Sequence, residues 1–436
     1  MAKKDFHISE KYNFRHALIE SRRKSRIGSK IFHDLCAMEV AIIGGGAAGF
    51  FAAISCAETH PEAKVFILER GNSTLQKVKV SGGGRCNVTH ACFDARELVR
   101  NYPRGSRELL GPFMRFGPTQ TIEWFAARGV RLKTEEDGRM FPVTDDSQTI
   151  IDCLARAAAR AGVRVETSVR VEGLSRSGDR WQIQTAAGNR AADAVIVTTG
   201  SNERVWAWLA ALGHRIVPPA PSLFTFNTKD IRLRDLSGVS APAVTLTIPA
   251  LKLTASGPLL ITHWGLSGPA VLRLSAWGAR QLQDCGYAFE LTINWTGMRP
   301  ADALEILKSV KQESARKTLR AHALFELPTR LWQNLCEAAN VLPELRWADA
   351  NTKTLQRLAE ELAAGRWTIN GKSTFKEEFV TAGGVDLKEI DFKTFASKIQ
   401  PNLYLAGEVL DVDALTGGFN FQAAWTGGWI AGRLGG

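Results

Sequence analysis

Residues 40–49 read Val-Ala-Ile-Ile-Gly-Gly-Gly-Ala-Ala-Gly, and this stretch decides the fold. Four apolar residues make a short buried strand, Gly44 to Gly46 make a tight turn, and Ala47 to Ala57 continue as a small-residue helix. Strand, turn and helix come in the order a dinucleotide site needs. Gly44, Gly46 and Gly49 fit G-x-G-x-x-G: the first permits the turn, the second lets a pyrophosphate approach the backbone, and the third lets helix and strand pack closely. The phosphates would rest on the free N–H groups at the start of the helix, at Ala47 and Ala48, where the macrodipole favours negative charge. The next apolar strand, Lys64 to Leu68, ends at Glu69, twenty residues after Gly49. A carboxylate there accepts hydrogen bonds from ribose hydroxyls.

With 436 residues the chain exceeds one typical core, so two or three domains are expected. A formal charge of +11 invites a polyanion partner. Much of that charge lies before residue 31, however, where Lys3, Lys4, Lys11, Arg15, Arg22, Arg23, Lys24, Arg26 and Lys30 outnumber the acids. The rest is only mildly basic, which disfavours nucleic acid. Residues 1–37 lack the apolar periodicity of a packed element and read as a disordered, dispensable extension, with Met38 as an alternative start. Ser21-Arg22-Arg23 resembles an export signal, yet the apolar run that follows, Val40 to Ala57, is the dinucleotide motif itself. The cytoplasm is therefore the expected location, with no membrane partner. The cysteines number seven and show no C-x-x-C. Neither a disulfide framework nor a metal site is expected.

After the second strand comes Lys77 to Asn87, K-V-K-V-S-G-G-G-R-C-N, read as a basic strand followed by a glycine loop. Its backbone could lie flat on a ligand, with Lys77, Lys79 and Arg85 available to phosphates and Gly84 and Cys86 packed nearby. Residues 94–163 read as helices with a short exposed segment at Glu135 to Pro142. Val163 to Val165, Val169 to Leu174 and Trp181 to Thr185 read as strands. Ala194 to Val197 is a further buried strand, and Thr199 and Gly200 at its end allow a cofactor close. From about Asn202 the chain turns to proline-punctuated short strands, the texture of a β-barrel or sandwich. Within it lies T-H-W-G-L-S-G-P (Thr262 to Pro269), with His263 at the lip of a glycine turn. Arg299 to about Ala363 reads as a small helical insert, and Trp367 to Val380 returns to strand. Near Thr381 the first texture resumes: Leu403 to Ala406 is a buried strand, Gly407 and Glu408 follow, and Gly418, Phe419 and Asn420 open the last helix.

One dinucleotide-binding region is thus split by an insertion. FAD is long and needs two regions, one for its ADP half and one for ribityl and flavin. Gly44 to Glu69 supplies the first, and Glu408 with the helix opening after Gly418 supplies the second, the helix end favouring an anionic reduced ring. NAD would need only the first site, and no second G-x-G-x-x-G is present.

At this point G-G-G-A-A-G (Gly44 to Gly49), S-G-G-G-R-C-N (Ser81 to Asn87), T-H-W-G-L-S-G-P, T-A-G-G-V (Thr381 to Val385) and the run Leu405 to Ala424 resemble the BaiN/YhiN-type flavoproteins. That family includes enzymes described as aminoacetone oxidases and as 3-dehydro-bile-acid Δ4,6-reductases. The resemblance spans Met38 to the C-terminus. It implies an α/β fold with a glutathione-reductase-type FAD-binding Rossmann domain, split by a β-barrel insertion that carries a small helical subdomain. It also implies FAD contacts at Glu69, Arg70, Arg85, Asn87, Val171, Glu408, Asn420 and Gln422. The expected organisation is an extension over 1–37, the FAD domain over 38–201 and 381–436, the barrel over 202–298 and 364–380, and the helical insert over 299–363.

The expected function is a soluble FAD-dependent oxidoreductase that passes hydride through flavin N5 between a small organic substrate and NAD(P)H or O2. The substrate pocket is expected between flavin and insertion, with His263 on its wall as a catalytic proton donor or acceptor. The competing expectations are an RNA-binding or RNA-modifying flavoprotein and a flavin-binding protein without turnover.

Overall fold

The structure, a computed structural model, describes residues 37–373 and 380–435. The reading of residues 1–36 as an extension, and part of the strand expected over 367–380, lie outside the described residues. Near-continuous apolar runs make strands buried on both faces, and four of them, with the short and largely exposed strand Arg164–Glu166 at the edge, form the parallel part of a seven-stranded sheet. Its order is Ile390–Asp391, Ala396–Ser397, Leu403–Leu405, Ala194–Val197, Glu39–Ile43, Lys64–Leu68, Arg164–Glu166. The register pairs Ile43 with both Val197 and Leu68, and Val197 with Leu405. The segments that follow those four residues therefore leave the sheet at one common edge. They are the glycine turn, the loop at Glu69, Thr198–Gly200, and Gly407–Glu408. Crevices outside the carboxyl ends of parallel strands are where such sheets bind ligands.

The helix that follows the glycine turn (Ala47–Thr59) packs on the C-terminal helix (Phe419–Gly432). Small residues set that distance: a Cβ on Gly428 would stand 2.4 Å from the Ala48 carbonyl oxygen, and one on Gly432 would stand 2.3 Å from that of Ala52. Val171–Ser177, Arg180–Thr185 and Gly188–Ala192 form an antiparallel meander.

The chain leaves this unit along Ile216–Ser222 and re-enters it along Val380–Val385, two antiparallel partners. Beyond them a closed barrel runs in the order Thr225–Asn227, Gly265–Ser267, Leu253–Thr262, Ser240–Ile248, Ala288–Asn294, Gly365–Ser373. Three helices, Pro300–Glu313, Thr329–Ala338 and Thr352–Ala364, cover it. They share with it a second core holding the buried Trp295, Trp332, Trp347 and Trp367.

Three local expectations are corrected. Gln76–Val80, read as a strand from its alternating valines, is a helix: Val78 is buried while Val80 is 47% exposed, so the alternation does not line one sheet face. Part of the segment expected as exposed, Arg139–Pro142, is a strand between Thr89–His90 and Leu132–Thr134, with Met140 and Phe141 buried. The helix Glu203–Ala211, placed on the barrel side from its sequence, buries Val205, Trp206 and Leu209 in the first core.

Candidate functional site

Each glycine of the turn has a separate physical reason. Gly44 takes φ +107°, and a side chain there would meet the Thr198 carbonyl oxygen at 2.8 Å. Gly49 sits where a Cβ would be 2.0 Å from the Gly44 carbonyl oxygen, so helix and strand touch only because it is absent. A Cβ on Gly46 would meet nothing within 4 Å. Gly46 is also the N-cap of the helix, which has no side-chain cap and no acid in its first turn. An open backbone face, an uncapped positive helix end and no competing carboxylate in that turn are what a diphosphate requires.

Glu69 is held in place by the backbone. Its Oε2 accepts from the Gly45 N–H at 2.8 Å and its Oε1 from the Gly71 N–H at 2.7 Å. Each carboxylate oxygen keeps a further lone pair for a ligand hydroxyl. Glu69 lies between two cavities, of about 620 Å³ and 350 Å³, which also share Gly44, Arg70 and Thr199. The larger runs past Val169, Arg170 and Val171 towards Trp208. The smaller gathers Gly46, Ala47, Ala48, Lys77, Gly200, Gly407, Glu408 and Asn420. Both volumes fall in the range of ligand pockets, about 300–1,000 Å³. Such a two-part cleft fits FAD.

Across the smaller cavity Lys77 Nζ donates to Glu408 Oε2 at 2.6 Å. The C-terminal helix begins at Gly418, φ +91°, again with no side-chain cap and no acid in its first turn. Asn420 ties it to the preceding loop: the Ala414 N–H donates to Asn420 Oδ1 and Asn420 Nδ2 donates to the Ala414 carbonyl, both at 3.0 Å.

Other residues singled out in the sequence lie outside the cavity linings. Arg85 donates to Glu135 at 2.6 Å and stacks 3.9 Å over the Phe141 ring, an arrangement that turns it from the cleft. The Cys86 thiol is buried and desolvation pushes its pKa up to about 12. Gly84 faces open space at the loop surface. Asn87, with its amide turned to satisfy both ends, donates to the Thr89 carbonyl and accepts from the Gly418 N–H, each at 3.0 Å. It therefore supports the start of the last helix. Phe419 stacks on His90, and its carbonyl accepts from the Tyr102 hydroxyl at 2.6 Å. Gln422 is fully buried, accepting from the Thr89 and Thr121 hydroxyls and donating to the Thr426 hydroxyl. His263 lines a separate cavity of about 540 Å³ with Ser237, whose hydroxyl lies 2.8 Å from its Nδ1. That cavity shares no lining residue with the cleft.

Sequence reasoning missed Phe421 and Ala424, which line the smaller cavity beside Asn420. Their spacing, i, i+1 and i+4, marks one face of a helix and could have found them. It also missed Ser73, Gln76 and Ser81, which line the same cavity in and beside the helix Gln76–Val80. Among the described residues no group of His, Cys, Asp and Glu is placed to hold a metal ion, and no helix is long and apolar enough to cross a membrane.

A family model described as the HI0933-like protein Rossmann domain matches residues 38–434. The chain is 28% identical over 407 residues to a 3-dehydro-bile acid delta(4,6)-reductase of Clostridium scindens, covering 90% of this chain and 98% of that one. It is 26% identical over 398 residues to a ribosomal RNA dihydrouridine synthase of Escherichia coli, covering 89% and 95%. Among solved structures, a 3-ketosteroid-delta4-(5alpha)-dehydrogenase from Rhodococcus jostii RHA1 superposes with a TM-score of 0.47 at 15% identity, covering 91% of this chain and 95% of that one.

Proposed function

The chain belongs to the HI0933-like Rossmann-domain family, whose members are FAD-dependent oxidoreductases, and from that premise we propose that it reduces a carbon–carbon double bond conjugated to a carbonyl, with NAD(P)H as electron donor. The observation that carries the cofactor half of this reading is the common edge at which the glycine turn, Glu69, Thr199–Gly200 and Gly407–Glu408 leave the sheet. The acceptor class comes from the relatives' names. A 3-dehydro-bile acid delta(4,6)-reductase and a dihydrouridine synthase act on unlike molecules, yet both names describe hydrogen added across a double bond in conjugation with a carbonyl.

Bound FAD supplies hydride transfer at flavin N5, chemistry that the protein's own side chains lack. The protein's share is binding, orientation and electrostatics. Glu69 would accept from the ribose hydroxyls, and the amides at Gly46–Ala48 would take the diphosphate. Val171 and Val169 would flank the adenine side. Glu408 would meet the ribityl chain, which requires it to give up or share its bond with Lys77. The uncapped end of the helix Phe419–Gly432 would favour negative charge on the bound ring.

A polyribonucleotide acceptor is the second reading, favoured by the Escherichia coli relative's name. Anaerobic mixing of FAD-loaded protein with NADH or NADPH, followed at the visible flavin band, tests the donor. A panel of enones and a uridine-containing RNA then tests the acceptor. Bleaching by a nicotinamide and recovery with an enone supports the first reading, and recovery with RNA alone selects the second. Protein that takes up no FAD refutes both.

A further inference from the structure

The loop from Gly407 to Gly418 begins at Glu408 in the cleft and ends at the opening of the C-terminal helix. Between these points it carries two carboxylates, Asp411 and Asp413, 7% and 0% exposed. Buried charges need partners with good geometry, and theirs come from distant parts of the chain. Arg104 grips Asp413 with Nε and Nη2, while the Ser222 hydroxyl donates to the same carboxylate at 2.7 Å. Arg104 Nη1 donates at 2.7 Å to the carbonyl of Ala276, in the last turn of the helix Pro269–Trp277, which packs on barrel strand Leu253–Thr262. A cation at that helix end is favoured by its dipole. Asp411 accepts from Arg280 Nη2 at 2.7 Å on both oxygens, and from the Gly383 N–H at 2.8 Å. Ser222 and Gly383 belong to the two connecting strands, and Arg280 to the helix Ala279–Asp284.

We propose that Arg104 is a positioning residue: one guanidinium holds the cleft loop and a barrel-side helix together, and so fixes the barrel relative to the bound flavin. The proposal rests on the flavin reading of the cleft. A planar fork with several donors in fixed directions suits this task, whereas a lysine ammonium would hold the charge without the angle. The coupling reaches the cofactor because Asn420 clamps Ala414, one residue beyond Asp413, to the helix opening. Burial raises the Asp413 carboxyl pKa, while Arg104 and Ser222 pull it down. Apolar replacement of both partners in such a pair is often neutral for stability, and that separates fixing a position from merely holding the fold.

The test uses the full chain and the variants Arg104→Lys, Arg104→Met and Arg104→Met/Asp413→Leu. Melting temperature and amide exchange are read without cofactor, and iodide quenching of flavin fluorescence is read after FAD loading. The double variant is expected to melt within a few degrees of wild type. Residues 407–418 and 269–277 should nevertheless exchange at least tenfold faster, and iodide should quench its flavin severalfold more strongly. Arg104→Lys, which keeps the charge, should fold and fall between. Wild-type exchange in both segments of the Lys and double variants would overturn the proposal. Failure of the wild-type chain to take up FAD would instead remove the flavin reading, while the exchange result still decides whether the two segments are coupled.

Discussion

Gly428→Ala should weaken cofactor binding although Gly428 lines neither cavity. The added Cβ would stand 2.4 Å from the Ala48 carbonyl oxygen and 3.0 Å from the Phe51 Cβ. Ordinary contact begins near 3.4 Å, so the helices must part by about 1 Å at this crossing, because interiors packed to crystal density have no slack to absorb it. Tilting gives no escape, since Gly432 makes the same approach one turn later, at 2.3 Å from the Ala52 carbonyl oxygen. Overpacking of this kind costs about 1–3 kcal/mol. For a domain of a couple of hundred residues each kcal/mol moves Tm by about 2–4 °C, so a fall of roughly 2–12 °C is expected in the protein without cofactor. The displaced helix carries Asn420, Phe421 and Ala424 into the smaller cavity, and the other helix opens at Gly46. The same 1 Å therefore widens the cleft, and FAD affinity should fall by about tenfold, about 1.4 kcal/mol. Circular dichroism melting and a fluorescence titration with FAD read the two effects. A variant with wild-type Tm and wild-type affinity would refute the argument that this crossing sets the width of the cleft.

Glu69→Ala removes the acceptor that also holds the Gly45 and Gly71 amides, and a hydrogen bond to a charged group contributes about 1.5–3 kcal/mol. FAD affinity measured by titration should drop tenfold or more, and an unchanged value would place the ribose-binding acid elsewhere. Among the cysteines of the described residues, iodoacetamide at pH 8 should alkylate the exposed Cys285 first and spare Cys56, Cys86 and Cys336, whose thiols burial pushes up to about 12, because the thiolate is the reactive form. Rapid labelling of Cys86 in folded protein, seen by peptide mass spectrometry, would contradict its burial. His263→Ala should leave FAD content unchanged and turnover of any accepted enone within about twofold, because its cavity is separate from the cleft. A fall of about a hundredfold, the scale of lost acid–base catalysis, would bring the acceptor to that second cavity.

The four central parallel strands were legible because they are near-unbroken apolar runs, unlike the short, exposed Arg164–Glu166, and the edge proposed for the cofactor because a glycine turn and a strand-ending acid sit at fixed spacing. Arg85 was misplaced for a reason no local reading reaches: its partner Glu135 lies fifty residues away on a segment that had read as exposed. The K-V-K-V alternation failed because alternation marks a strand only where the alternate residues share one buried face, and here Val78 is buried while Val80 faces solvent. Gln422 was within reach. Two residues beyond Asn420 on a helix is about 200° of rotation, which turns it from the cleft into the interior where Thr89 and Thr121 meet it.

His263 shows where glycine-rich texture misleads. T-H-W-G-L-S-G-P drew attention because irregular, glycine-bearing loops also build the cofactor edge. In the barrel those glycines serve a different need. A Cβ on Gly265 would stand 2.2 Å from the Phe226 carbonyl oxygen, and one on Gly268 would stand 2.9 Å from the Leu260 nitrogen. Gly265 lets the short strand Gly265–Ser267 close against Thr225–Asn227, and Gly268 lets the chain turn past Leu260 into the helix Pro269–Trp277. At Gly46 the side chain is absent for the opposite reason: nothing of the protein lies in front of it, and the helix behind it begins without a cap. A glycine pressed against its own backbone is accounted for by packing alone. One that opens an uncapped helix onto a cavity leaves its donors to a ligand, and on that distinction Gly46 is the glycine we propose for the cofactor, while Gly44 and Gly49, like Gly265 and Gly268, serve the close approach of the backbone.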